Sequence, residues 1–331
     1  MEKRRLGKTG LDVSLLGFGC GAVGGLMVGG TPADQERAVV RALELGINYF
    51  DTAAQYGNGR SEENLGRVLK ALKPDIYVGT KVRLPPTDPG QIGAGISKAL
   101  EASLTRLQLD RVDLYQFHNA IVGSTASGNF AVESMLEEVV PAFERLVQQG
   151  KIGHYGITAV GETASLLRVI DARAFATAQV SFNLLNPSPG AAVPKGFPAQ
   201  DYSKLLAHTE AANMGAINIR VLAGGALSGS EERHALGSPP PDPIGSGRSY
   251  KTDVERAQRF IPLVREGHAD SLIELALRYA IAHQAISTVL VGYSTLEQLE
   301  IAARSINQGP LSPGALARIA AIQASFVGEA R

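Results

Sequence analysis

Residues 47–62 read INYFDTAAQYGNGRSE, and this stretch combines a strand, a tight turn and the start of a helix. The apolar character of residues 47–50 predicts a buried strand that ends at Asp51. Two glycines then break the chain, and a helical pattern begins at Ser61. A carboxylate and the phenol of Tyr56 therefore lie five residues apart, just where a strand ends.

The same alternation of short apolar runs and helical patterns covers almost the whole chain. Eight strands are predicted, at Ser14–Gly19, Ile47–Thr52, Ile76–Val82, Val112–Phe117, His154–Thr158, Thr177–Phe182, Ala216–Leu222 and Ser287–Val291. Eight helices are predicted between and after them, at Pro32–Leu45, Ser61–Leu72, Gln91–Leu107, Ala131–Gln149, Glu162–Asp171, Asp201–Asn213, Ser271–His283 and Leu296–Ser305. This repetition favours a closed α/β architecture, the (β/α)8 TIM barrel, over an open doubly wound sheet.

Additional segments extend this barrel at its ends and loops. Arg4–Leu6 and Leu11–Val13 predict an N-terminal β-hairpin at the bottom of the barrel, and Ser312–Ala330 predicts an extra C-terminal helix. We expect one domain over residues 1–331. Three long loops follow predicted strands, on the face where barrel active sites lie; they are His118–Asn129, Asn183–Gln200 and Ala223–Asp270.

Composition limits the classes of function. Lys plus Arg and Asp plus Glu number 32 each, so no overall field favours nucleic acid or an anionic membrane. The single cysteine excludes an internal disulfide framework and is typical of a reducing compartment. No apolar signal segment or membrane-length apolar run occurs, and no His, Cys and acid cluster has metal-ligand spacing. We expect a cytoplasmic protein that binds a small molecule and no metal, while its oligomeric state stays open.

Polar groups at successive strand ends point to a site for proton transfer. Asp51 and Tyr56 follow the second strand, Lys81 ends the third, and His118 follows the fourth. An ammonium within a few ångströms of a phenol favours the phenolate, and a carboxylate partner keeps a buried lysine charged. A histidine there could orient a substrate carbonyl or relay a proton. Any one of these residues could be merely structural, but four at neighbouring strand ends favour a site.

Later strands offer candidate contacts for a dinucleotide. Thr158 and Gln179 could hydrogen-bond an amide, the glycine-rich segment 222–229 could approach a pyrophosphate, and residues 292–295 precede a helix N-terminus. Barrel turns also need glycines for purely structural reasons. Residues 19–24 (GCGAVG) match the dinucleotide fingerprint formally, but the next helix is predicted only near Pro32, so a Rossmann site is not indicated.

Three ordered motifs make the chain resemble the aldo-keto reductase family: residues 50–66, 79–81 and 112–118. The resemblance implies hydride transfer between NADP(H) or NAD(H) and an aldehyde, ketone or aldose. It implies Tyr56 as general acid/base, Lys81 and Asp51 as the groups that tune it, and His118 as the group that orients the substrate. The implied cofactor contacts are Cys20, Gly21, Asp51, Thr158, Gln179, Ile219, Arg220, Val221, Leu222, Gly224, Gly292, Ser294 and Gln298.

Several positions depart from the family pattern around the cofactor. Thr158-Ala159 stands where Ser-Asn is usual, and residues 219–221 replace an aromatic residue, a serine and a proline. Ser294 stands where many members carry a base for the 2′-phosphate, for which Arg248 or Lys251 are candidate substitutes. Some variants are similar to the sugar-dehydrogenase branch, which often uses NAD, so the choice between NAD and NADP stays open.

Two other functions are compatible with the same motifs. One is a cofactor-binding regulatory subunit similar to the potassium-channel β subunits, although the sequence shows no long apolar strip for a partner. The other is an isomerase or lyase that uses the same proton-transfer groups without net redox chemistry. Cys20 also has two interpretations, either a residue beside the site or a small buried apolar side chain.

Overall fold

The computed structural model describes residues 1–88, 90–124 and 128–329. Its strands are β1 Lys3–Arg5, β2 Asp12–Ser14, β3 Leu16–Gly19, β4 Tyr49–Asp51, β5 Tyr77–Val82, β6 Val112–Phe117, β7 Ile121–Val122, β8 Phe130–Ala131, β9 Ile152–Thr158, β10 Thr177–Ser181, β11 Gly215–Ile219 and β12 Ile286–Gly292. Eight of them form a closed barrel in the order β3-β4-β5-β6-β9-β10-β11-β12, and every neighbouring pair is parallel. The predicted (β/α)8 barrel is confirmed.

Helices surround this barrel and alternate with its strands. They are α1 Leu26–Gly29, α2 Pro32–Glu44, α3 Arg60–Leu72, α4 Ile92–Leu107, α5 Val132–Ser134, α6 Val140–Gln148, α7 Thr163–Asp171, α8 Leu205–Ala211, α9 Tyr250–Gln258, α10 Ile261–Arg265, α11 Leu272–Ala282, α12 Leu296–Asn307 and α13 Pro313–Ala324. None of the helices in the described ranges is both long enough and apolar enough to cross a bilayer.

The predicted hairpin closes the bottom of the barrel. Strands β1 and β2 pair antiparallel, and the side chains of Leu6 and Val13 are fully buried. Both pack into a small apolar cluster inside the barrel with Tyr49, Leu114, Ile217 and Leu290. This layer excludes water from below, so the polar layer above it opens toward the carboxyl ends of the strands.

Most predicted boundaries fall within two residues of the observed ones, but four predictions differ more, and local backbone chemistry explains two of these. The helix predicted over residues 131–149 is interrupted by a π-helical turn at Met135–Val139, because Pro141 cannot donate to the carbonyl of Glu137 and crowds it. The strand predicted to reach Leu222 ends at Ile219, since Arg220 has φ 55°. The helix predicted from Asp201 begins only at Leu205, and the C-terminal helix ends at Ala324.

The three long loops follow strands as predicted, although residues 125–127 of the first lie outside the described ranges. The third is more ordered than expected. It contains α9 and α10, and the buried residues Val254, Phe260 and Leu263 in and between these helices belong to a second core cluster. The same loop crosses to the segment after β3, where a Cβ atom added at Gly25 would lie 1.9 Å from the Leu236 carbonyl oxygen. Two loops from distant parts of the chain therefore meet beside the barrel mouth.

Candidate active site

The ammonium of Lys81 joins the predicted acid and phenol. Its Nζ donates to Asp51 Oδ1, to the Thr52 carbonyl at 2.7 Å and to the Tyr56 hydroxyl at 3.3 Å. Lys81 and Asp51 are buried, whereas Tyr56 is half-buried. Burial opposes the charge on Lys81, but Asp51 and then Tyr56 outweigh it and raise the pKa of Lys81. The structure thus holds a charged ammonium against the phenol.

The second oxygen of Asp51 accepts from three donors, of which Gln116 Nε2 is the most distant at 3.5 Å. Gln179 Nε2 lies 2.8 Å from Asp51 Oδ2, and the Tyr49 hydroxyl donates to the same oxygen at 3.1 Å. The Tyr49 ring fits because its neighbours on adjacent strands are glycines: a Cβ at Gly79 would lie 2.6 Å from the Tyr49 hydroxyl oxygen, and one at Gly17 would lie 3.2 Å from the ring. Sequence analysis missed Tyr49, although it lies two residues before Asp51 on the same strand face.

Replacing Tyr49 with phenylalanine is expected to cost about 1.5–3 kcal/mol of unfolding free energy, the range for hydrogen bonds to charged groups. We also expect a several-fold loss of turnover, because Asp51 then holds Lys81 less firmly. Urea unfolding and steady-state rates measure both effects. Tyr115→Phe is the matched control, since Tyr115 is equally buried and its hydroxyl bonds to no partner among the described residues. Equal behaviour of the two variants would contradict the role given to Tyr49.

His118 is connected to the same network through Thr158 and Gln179. His118 Nδ1 shares a 2.6 Å hydrogen bond with Thr158 Oγ1, which lies 3.3 Å from Gln179 Oε1. Burial, followed by the charges of Lys81 and Arg83, lowers the pKa of His118 to about 3. His118 is therefore neutral at physiological pH, and Nε2 is the ring nitrogen that remains for a ligand.

NMR titration of His118 is expected to show no protonation between about pH 8 and pH 5. Folding lowers its pKa from 6.5 to about 3, so between these values the unfolded chain binds more protons than the native protein. The stability contributed by neutral His118 is therefore complete above about pH 6.5 and is lost as the pH falls toward 3. A titration midpoint near 6.5 would contradict this burial of His118.

Two of the predicted cofactor contacts follow β3, and only one faces the site. A Cβ atom added at Gly21 would lie 3.5 Å from the Tyr56 ring, so Gly21 borders the phenol. The Cys20 side chain is 1% exposed, and burial raises the pKa of its thiol. Its backbone N–H donates to the Asp51 carbonyl and its carbonyl accepts from Ser61 Oγ. Cys20 is thus a small buried side chain that leaves no polar group for a ligand.

The predicted cofactor contacts after β11 include buried apolar side chains, one arginine and one glycine turn. The Val221 side chain is buried, Leu222 packs against the core, and Ile219 lies against the apolar cluster inside the barrel. Arg220 is half-buried, donates to the Asp242 carbonyl at 3.0 Å and has no ion pair among the described residues. Gly224 has φ 71°, so the turn after Arg220 needs a glycine at this position.

Arg233, which sequence analysis missed, fixes this turn from outside. Its guanidinium donates to the Gly224, Gly237 and Val23 carbonyls and to the Tyr250 hydroxyl. These acceptors belong to the segment after β3 and to separate parts of the long loop after β11. No sequence pattern could identify this contact, because the acceptors are backbone carbonyls and a distant hydroxyl.

The predicted contacts at the start of α12 mainly bind one another. Ser294 N donates to Gln298 Oε1 at 2.8 Å, and the Thr295 hydroxyl caps the helix by accepting from Gln298 N. The Ser294 hydroxyl donates to the Gly24 carbonyl, while Gly292 is exposed. The first helical turn carries Glu297 and no base. The helix N-terminus is therefore open to a ligand, but the Ser294 hydroxyl is already occupied.

The Aldo/keto reductase family model matches residues 15–324 of the chain. The chain belongs to this family. L-galactose dehydrogenase of Arabidopsis thaliana is 31% identical over 306 residues, which cover 91% of this chain and 86% of that protein. L-glyceraldehyde 3-phosphate reductase of Escherichia coli K12 is 28% identical and covers 96% of this chain and 91% of that protein. The predicted family is confirmed.

The solved structures give the same family assignment. The holo form of an aldo-keto reductase from Bacillus halodurans superposes with a TM-score of 0.72 at 26% identity, covering all of this chain and 98% of that chain. As an aldo/keto reductase, the protein is an NAD(P)H-dependent oxidoreductase.

The rim residues fit the nicotinamide dinucleotide that the family uses. A pyrophosphate needs cationic and N–H donors, and the Arg220 guanidinium, the Gly224 turn and the N-terminus of α12 supply both kinds. Thr158 and Gln179 are polar groups within the barrel that a carboxamide can meet. Within the described ranges, no three His, Cys, Asp or Glu residues form a metal site.

Proposed function

We propose that the protein transfers a hydride between a nicotinamide cofactor and an aldehyde, ketone or aldose, with Tyr56 as general acid/base. The observation that carries this proposal is the position of Lys81 Nζ, between Asp51 Oδ1 and the Tyr56 hydroxyl. We also propose that residues 1–331 act as one catalytic domain, since the family match spans residues 15–324.

The proposed roles follow from charge. The nicotinamide ring supplies or accepts the hydride when it is bound. In reduction Tyr56 donates its proton to the substrate oxygen, and the Lys81 ammonium stabilises the phenolate that remains. Asp51 keeps Lys81 charged. Neutral His118 orients the substrate oxygen through an Nε2–H donor, in the tautomer whose Nδ1 accepts from the Thr158 hydroxyl.

The proposed cofactor contacts include side chains and backbone. Thr158 and Gln179 would meet the carboxamide, and Gly21 would border the ring beside Tyr56. Arg220, Gly224 and the start of α12 would meet the pyrophosphate. Glu297 in the first turn of α12 disfavours a 2′-phosphate, whereas Arg248 and Lys251 carry no ion pair among the described residues and could bind one.

The printed names of two relatives support sugars as substrates. One relative is an L-galactose dehydrogenase and the other an L-glyceraldehyde 3-phosphate reductase. We therefore propose that aldoses and short hydroxyaldehydes are the first substrates to test.

Fluorescence titration with NADH and NADPH, followed by a panel of aldoses and simple aldehydes, tests this function. We expect binding of at least one dinucleotide and one cofactor oxidised for each carbonyl reduced. Cofactor binding without turnover on any carbonyl would favour a regulatory subunit. Product formation without cofactor consumption would favour an isomerase or lyase.

A further inference from the structure

Arg83 lies beside His118 at the mouth of the barrel. On β5, Gly79 and Lys81 face the barrel interior, while Val82 is buried in the outer core, so the next residue returns to the Lys81 face. The His118 N–H donates to the Val82 carbonyl at 2.8 Å, which keeps the chains after β5 and β6 paired at this level. On this alternation Arg83 comes one layer above Lys81, at the level of His118 at the carboxyl ends of the strands.

The guanidinium of Arg83 is exposed and has no hydrogen bond or ion pair within the described part of the chain. Arginines elsewhere on the barrel, such as Arg106 and Arg278, are paired with Glu62 and Glu274. The charge of Arg83 also reaches the site, since it contributes to the lowered pKa of His118. A cation with no ion pair among the described residues thus lies at the barrel mouth, where a substrate must enter.

We propose that Arg83 binds an acidic group of the substrate, so that the preferred substrates are aldehydes or sugars carrying a carboxylate or a phosphate. A guanidinium binds either group through two parallel N–H donors, which orients the ligand as well as attracting it. His118 fixes the carbonyl oxygen of the substrate. An acidic group a few bonds away on the same substrate molecule then reaches Arg83. This inference rests on the proposed hydride transfer and adds the class of substrate.

Two matched substrate pairs test the proposal: succinic semialdehyde with butyraldehyde, and glyceraldehyde 3-phosphate with glyceraldehyde. We expect the wild type to prefer at least one acidic member by about 10- to 100-fold in kcat/KM, and the preference to weaken with salt. The two pairs distinguish a carboxylate from a phosphate. Arg83→Gln should remove this preference and leave kcat/KM for the neutral substrate unchanged. Arg83→Lys should retain part of the preference.

Arg304→Gln is the control, because Arg304 is an exposed arginine in the last turn of α12, at the opposite end of the barrel. This variant should leave kcat/KM unchanged for both the acidic and the neutral substrate of each pair. Equal rates for acidic and neutral substrates in the wild type, or an equal loss on both in Arg83→Gln, would overturn the role of Arg83. If the protein binds the dinucleotide but reduces neither neutral nor acidic substrates, the proposed oxidoreductase function is contradicted instead.

Discussion

Tyr56→Phe is expected to lower kcat by about two to four orders of magnitude while dinucleotide binding stays nearly unchanged. The substitution removes only the hydroxyl that accepts from Lys81 Nζ at 3.3 Å, and it keeps the ring that borders Gly21. A phenyl group cannot donate a proton to a developing alkoxide, so the chemical step loses its acid. Steady-state rates and cofactor fluorescence measure the two effects separately.

The control for Tyr56→Phe is again Tyr115→Phe, which removes a hydroxyl oxygen outside the site. It should retain wild-type turnover. Loss of dinucleotide binding in Tyr56→Phe would mean that the hydroxyl holds the cofactor, and unchanged turnover would mean that another group supplies the proton. Either outcome would contradict the assigned role.

Lys81→Met is expected to lower turnover by about 100- to 1,000-fold and to destabilise the fold by about 3–5 kcal/mol. The activity is lost because no cation remains to stabilise the phenolate. The stability is lost because Asp51 becomes a buried carboxylate without its ion-pair partner, held by the neutral donors of Tyr49, Gln179 and Gln116. Turnover and urea unfolding are the measurements.

The double variant Asp51→Asn/Lys81→Met separates these two effects. Removing both charges should restore much of the stability, since a neutral pair is often no less stable than a buried ion pair, yet turnover should stay low. Lys151→Met is the matched control, because Lys151 forms an ion pair with Glu101 at the surface and should cost at most about 1 kcal/mol. Turnover restored in the double variant would refute a catalytic role for the charge on Lys81.

The barrel and the core of the site were predictable because both depend on local pattern. Short apolar strands alternate with amphipathic helices, and parallel strands bring their carboxyl ends to one face. Asp51, Lys81 and His118 stand at such ends, so their proximity followed from the strand assignment alone. The order of the motifs then supplied the family, which the comparisons confirm.

The remaining features depend on contacts between distant residues, which periodicity does not record. Arg233 binds carbonyls as far away as Val23, and Tyr49 fits only because two adjacent strands present glycines to it. The strand predicted through Leu222 ended early because Arg220 takes a left-handed conformation that nothing in its sequence neighbourhood requires. Cys20 had two interpretations, a residue beside the site or a small buried side chain, and its 1% exposure favours the second.

Transfer of a deuterium label from the cofactor to the substrate tests the proposed hydride transfer most directly. The protein would be incubated with a carbonyl substrate and NADH or NADPH deuterated on either face of nicotinamide C4, and the product analysed by mass spectrometry. We expect one deuterium on the new carbinol carbon with one of the two labelled faces, and a much slower transfer in Tyr56→Phe. Product that carries no deuterium with either face, or that forms without oxidation of the cofactor, would contradict it.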